Sequence, residues 1–208
     1  VGVGGGSLVY ANTLPKPKSP FFNQGSWKGL ADWENELAPH YDTAWRMLGA
    51  ALNPVLAESD LAMQKLAAKM NKPGQFSPTT VAIYFGEPGE TVKDPYFDGR
   101  GPDRTGCMHC GACMTGCRHN AKNTLDKNYL HLAQQLGVTI LAENEVTAVK
   151  PLNKNGTDGY EIGFRQSTKY LSLTKTVNAG GVIFAGGVFG TIPLLLKLKK
   201  TTLPGLSH

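Results

Sequence analysis

Apolar and polar positions change rhythm several times along the chain, and each rhythm predicts a different element. Met63, Leu66, Ala67 and Met70 recur at i, i+3, i+4 and i+7, the period of one helix face. Ser59 caps that helix at its start, Asp60 lies in its first turn, and Asn71 with Pro73-Gly74 ends it. An earlier helix is expected over 40–52, stopped at Asn53-Pro54 because a residue before proline is pushed out of the α region. Between the prolines of 15–20, an extended connector, and that helix, residues 21–39 mix aromatics with Gly25, Gly29 and Pro39 and read as irregular. Residues 79–85 are β-branched and aromatic, hence a strand, followed by a long Gly-, Pro- and Asp-rich loop over 86–106. Asn123 is expected to cap a helix whose Leu125, Tyr129, Leu132 and Leu136 share a face, with Gly137 at its C′ position.

Beyond Gly137 the period shortens. Short strands are expected over 138–141 and 145–149, then a turn through the polar run 153–159. Tyr160, Ile162 and Phe164 alternate as in a half-exposed strand, and 170–177 supplies another. Residues 181–185 are wholly apolar, the pattern of a strand buried on both faces of a parallel sheet. Gly186-Gly187 then turns the chain into a helix over 192–199 with Pro193 in its first turn. The fold class expected is α+β, with a helical and loop-rich first part, an antiparallel β meander and a Rossmann-type strand–turn–helix.

Composition narrows this further. In 208 residues, 41% are hydrophobic and 18% charged, which suits a packed core and excludes a disordered or coiled-coil chain. The net charge of +5 comes from scattered Lys and Arg, so it reads as a solvated surface and no nucleic-acid partner is expected. No apolar run is long enough to span a membrane. The glycine-rich start, without an initiator methionine, reads as the interior of a longer polypeptide whose other parts are partners of this one.

Three clusters could carry chemistry. Gly4, Gly5, Gly6 and Ser7 form a turn of bare main-chain N–H groups, a nest suited to an anion such as a phosphate. Ala185, Gly186 and Gly187 put similar groups, and a helix N-terminus, after an expected strand, where open α/β sheets hold phosphates and sugars. The third cluster is Cys107, Cys110, Cys113 and Cys117, the only cysteines, spaced C-x2-C-x2-C-x3-C as in ferredoxins. An iron–sulfur cluster, a zinc site, a redox dithiol, a disulfide and inert thiols all remain open. The clustering of thiols leans toward a reducing, cytoplasmic setting. The histidines are scattered and no carboxylates pair at a useful spacing, so no catalytic residue is assigned.

Residues 3–9, Val-Gly-Gly-Gly-Ser-Leu-Val, resemble the first signature of the glucose–methanol–choline (GMC) flavin oxidoreductases, in the cholesterol-oxidase-like branch. Residues 116–130 are similar to that branch's stretch leading into A-K-x-T-L…Y-L, and 184–191 with Leu194-Leu195 resemble the family's Ala-Gly-Gly turn. The resemblance implies FAD and oxidation of a small-molecule alcohol by hydride transfer to the flavin. It implies three regions: a flavin loop over 1–14, a substrate-binding segment over 15–136, and part of the FAD-binding domain over 137–208. It also implies roles. Gly4, Gly5, Gly6 and Ser7 would face pyrophosphate and flavin, Tyr10 and Asn12 the isoalloxazine, Val146 the adenine, and Ala185, Gly186 and Gly187 the ribose or pyrophosphate. The family's catalytic histidine would lie outside the chain, leaving this piece inactive by itself. The rival expectation is an electron-transfer module holding an iron–sulfur cluster at Cys107–Cys117.

Overall fold

Side chains that should pair with water are at the centre of the first half of the molecule. A computed structural model describes residues 2–206. It divides into two compact units, residues 6–138 and residues 2–5 with 139–206.

In residues 6–138, a short helix α1 (Ser19–Phe22) precedes α2 (Trp33–Met47) and α3 (Glu58–Lys69). Helix α2 starts well before residue 40. The Asp32 side chain caps it by accepting the Asn35 N–H (3.4 Å), and Pro39 is carried inside the helix. Leu48 ends it, and Gly49 turns out at φ +56°. Residues 51–52, read as helix, instead form β1 (Ala51–Leu52), antiparallel to β2 (Thr80–Val81). Helix α3 matches its pattern, although the Asp60 carboxylate, not Ser59, accepts the free N–H at its start, from Ala57 (2.8 Å).

The long loop is ordered. Strands β3 (Thr91–Val92) and β4 (Arg104–Thr105) pair across it. Between them the Asp94 carboxylate accepts N–H bonds from Tyr96 (3.0 Å), Phe97 (3.0 Å), Gly99 (2.9 Å) and Gly101 (2.9 Å). Asn123 caps no helix. A single 3-10 turn covers Leu125–Lys127, and α4 (Tyr129–Gln135) is capped by Asn128, which accepts the Tyr129 N–H at 2.6 Å. Gly137 sits after α4 at φ +92° as its pattern predicts, and Val138 N–H closes back on Ala133 O at 3.0 Å.

The centre of this unit is a spine of residues 81–84. Ala82 N–H donates to Asn12 O (2.7 Å), Asn123 N–H to Ala82 O (2.8 Å), Tyr84 N–H to Ala121 O (2.9 Å) and Cys107 N–H to Tyr84 O (3.1 Å). Three separate segments are thereby tied to one strand-like stretch. Val81, Ile83 and Ala121 form its apolar core, with Phe85, Cys107, Cys113 and Cys117 packed on it. Polar side chains complete the interior: Asn12, Arg104, Lys122, Asn123, Thr124 and Asn128 are all buried.

In the second unit, β5 (Asn144–Pro151), β6 (Tyr160–Gln166) and β7 (Lys175–Ala179) form an antiparallel sheet in sequence order. This is the expected meander, with a register shift between Val146 and Ala148. Helix α5 (Val188–Lys199) lies on β5: Leu198 and Val149 are each 1% exposed, and Lys197 Nζ donates to Thr147 O at 2.9 Å. The mixed α+β class is the observed one. Three stretches differ from expectation. Of the strand expected over 170–177 only the part from Lys175 on is paired. Residues 138–141 form no strand, and neither do residues 181–185, which find no ladder partner among the described residues. An apolar run becomes a strand only when a neighbour takes up its N–H and C=O groups; here Ile183 is 92% exposed. Tyr170, Leu171, Leu173 and Phe189 are likewise almost fully exposed.

Candidate functional site

The glycine turn enters the first unit through a 3-10 helix, Gly5–Leu8. Gly4 and Gly5 take φ of +108° and +55°, which a side chain would resist. Gly6 is a different case. Its φ is not in the left-handed region, and a Cβ placed on it would meet, beyond its immediate neighbours, no atom of the described residues within 4 Å. Neither backbone strain nor crowding by the described residues accounts for a glycine there. Ser7 Oγ accepts the Leu125 N–H at 3.0 Å, which fixes the end of the turn to the segment before α4.

The chain then passes Tyr10 and Asn12. Asn12 is 5% exposed and held at φ +62°. Tyr10 is half-buried, and burial pushes its hydroxyl pKa up. The Lys122 ammonium sits 4.8 Å from the centre of the Tyr10 ring. That same ammonium donates to Tyr10 O (2.6 Å), Leu8 O (3.3 Å) and Cys113 O (3.0 Å). All three of its protons therefore have carbonyl acceptors.

Behind Lys122 lies Arg104, 1% exposed. Its guanidinium donates to Asn123 Oδ1 from Nε (3.0 Å) and Nη2, to Asn120 Oδ1 (2.9 Å), and to the carbonyls of Ala121 (3.2 Å) and Lys122 (2.8 Å). Asn123 Nδ2 passes the connection on to the Tyr96 hydroxyl (3.1 Å), whose pKa burial pushes up. Two buried cations thus lie close in the fold, and neither forms an ion pair among the described residues. Burial lowers the pKa of both.

The four cysteines line a small crevice with Ile83 and His119. All are free thiols. Cys107 Sγ accepts the His109 N–H and Cys117 Sγ the Ala121 N–H, each at 3.4 Å. Among the described residues no group of three or more His, Cys, Asp or Glu side chains is arranged to hold a metal ion, so the spacing gains no support as an iron–sulfur or zinc site.

The remaining candidates lie in the second unit. Val146 is on β5 beside its register shift and is partly exposed. Gly187 precedes α5 at φ +77°, its carbonyl accepting the Thr191 N–H at 2.7 Å, and Gly186 N–H donates to Thr191 Oγ1 at 3.0 Å. Ala185, Gly186 and Gly187 are exposed, and a Cβ on Gly187 would meet nothing within 4 Å. Gly4 and Gly5 belong to this same unit.

Sequence reading assigned no role to Arg104, Lys122 or Asp94, and it read Asn123 as a helix cap. A charged residue inside a loop reads as solvated. The one available signal was the position of Lys122 within the quoted Ala-Lys-Asn-Thr-Leu stretch.

Comparison with known proteins gives the class. The GMC oxidoreductase family matches residues 89–198. Across 213 aligned residues the chain is 44% identical to a cholesterol oxidase of Acinetobacter baumannii, covering 99% of this chain and 38% of that protein. It is equally 44% identical, over 213 residues, to cholesterol oxidases of Mycobacterium tuberculosis, covering 99% of this chain and 36% of theirs. No solved structure matches. The chain belongs to the GMC oxidoreductase family. It spans little more than a third of the length of these relatives.

Proposed function

We propose that the chain is part of an FAD-dependent oxidoreductase that oxidises a CH–OH group, with a sterol such as cholesterol as the substrate class to test first. When bound, FAD supplies the acceptor for the hydride that leaves the alcohol carbon. The residues of this chain bind and orient. Gly4, Gly5, Gly6 and Ser7 lie against the pyrophosphate and flavin, and Ala185, Gly186 and Gly187, with the N-terminus of α5, lie against the ribose or pyrophosphate. Tyr10 and Asn12 flank the isoalloxazine, and Val146 meets the adenine. No described side chain is assigned to proton removal, and the 208-residue chain by itself is expected to turn over no alcohol.

The observation that carries this reading is the open main chain at Gly6, where no atom of the described residues beyond its immediate neighbours comes within 4 Å of a built Cβ. The fit to a flat, anionic dinucleotide is supported by the left-handed backbone of Gly4 and Gly5 and the open space above Gly5 and Gly6. The 44% identity to cholesterol oxidases supports the choice of sterol. The test is anaerobic addition of cholesterol, dispersed in detergent, to the full-length protein. Loss of the flavin absorbance supports the reading. An absorbance unmoved by cholesterol and by simple primary and secondary alcohols would rule it out.

A further inference from the structure

Lys122 is 1% exposed and lies in the stretch bridged to Ile83 at the core of its unit. Its ammonium leaves that core and ends among the carbonyls of Leu8, Tyr10 and Cys113, under the face of the Tyr10 ring. Burying an ammonium is costly unless its protons are all taken up. Here the acceptors come from two segments far away in sequence, the one leaving the glycine turn and the one inside the cysteine loop. No carboxylate shares the load among the described residues. A lysine serving stability alone would be replaceable by a packed apolar side chain; one whose three protons go to loop carbonyls fixes where those loops lie.

We propose that Lys122 is a positioning residue for the reaction, acting through the segment 8–12 that it fastens. This rests on the reading that Tyr10 and Asn12 flank the flavin. Lys122 touches neither substrate nor cofactor in this role. It sets the height of the Tyr10 main chain and, through the Cys113 carbonyl, joins the cysteine loop to the same anchor. The cysteine loop then has a structural task that needs no metal: it closes the third side of the ammonium's carbonyl cage.

The test compares full-length wild type, Lys122→Met and Lys122→Arg, all purified with their flavin. Amide hydrogen exchange and the visible circular dichroism of the flavin are read beside kcat and KM. In Lys122→Met, exchange over 8–14 and 111–116 should accelerate at least tenfold while β5, β6 and β7 keep their protection. The visible dichroism should change shape, and kcat should fall at least tenfold with KM for the alcohol within twofold. Lys122→Arg, which keeps a cationic donor, should recover part of each loss. Lys122→Gln, with a shorter neutral donor, replaces the methionine variant if that does not fold, and should show the same losses. Unchanged exchange over 8–14, or faster exchange with unchanged flavin dichroism and kcat, overturns the inference alone. A full-length wild type without flavin absorbance overturns the proposed function, and this inference with it.

Discussion

The Arg104 guanidinium grips the side-chain oxygen of Asn123 with two of its nitrogens, Nε at 3.0 Å, while the Asn123 amide reaches the Tyr96 hydroxyl at 3.1 Å. Residues nineteen apart in sequence are thereby locked inside the molecule, and the stretch between them is the cysteine loop.

Arg104→Met should strip hydrogen bonds from Asn120, Asn123 and the carbonyls of Ala121 and Lys122 in one step. Buried acceptors left without a donor each cost about 1–3 kcal/mol, so a loss of roughly 3–5 kcal/mol in unfolding free energy is expected. Lysine cannot reproduce the planar fork, and Arg104→Lys should recover less than half of it. Urea unfolding of the full-length protein checks both variants.

Asp94 gives a pH-dependent term. Burial raises its pKa, but N–H bonds from Gly101, Tyr96, Phe97 and Gly99 outweigh it and hold the carboxyl below its ordinary value of 3.8. A depressed folded-state value means the contribution is fully present above that ordinary value and is lost as pH falls through and below it. Asp94→Asn should therefore flatten the acid limb of the stability profile below about pH 4, as followed by thermal midpoints across an acid series. An unaltered limb would count against the turn.

The thiols should separate by reactivity. Burial pushes Cys107 up, against a single backbone N–H from His109. Burial also raises Cys117, but N–H groups of Lys122, Ala121 and His119 and the charge of Arg104 bring it below the ordinary thiol value. The thiolate is the reacting form. Between these two half-buried residues, iodoacetamide should modify Cys117 first, with a labelling midpoint at lower pH, as read by peptide mass spectrometry.

Gly6→Val separates binding from folding. The space above Gly6 is open, so unfolding free energy should move by no more than about 0.5 kcal/mol. Affinity of the flavin-free protein for FAD should drop at least tenfold, measured by titration against quenching of FAD fluorescence.

How far the sequence could be read follows from where each signal originates. The meander was legible because Tyr160, Ile162 and Phe164 alternate locally and the polar run 153–159 makes its turn. Helix α3 and the Gly137 stop were legible for the same reason. Helix α2 was read too late because Pro39 looks like a breaker, although the helix holds it inside and Thr43 Oγ1 donates to its carbonyl at 2.9 Å. Residues 181–185 are apolar enough for a strand, but pairing is a property of neighbours, not of the segment. The polar core of Arg104, Lys122 and Asn123 was invisible, since Arg104 and Lys122 look like surface residues and Asn123 like a helix cap until three segments meet at 81–84. At the candidate site the structure shows the left-handed backbone of Gly4 and Gly5 and, among the described residues, no metal-holding group at the cysteines. Glycine clusters report on main-chain space, whereas the cysteine spacing says nothing about whether the loop presents its sulfurs inward to one point.

The visible absorbance spectrum of the purified full-length protein bears most directly on the central claim, that the bare glycine turn belongs to a flavin dinucleotide site. Two bands, in the blue and the near ultraviolet, with about one FAD released per chain on denaturation, are what the account predicts. A colourless protein that takes up no added FAD, or one with only a broad brown shoulder, would contradict it.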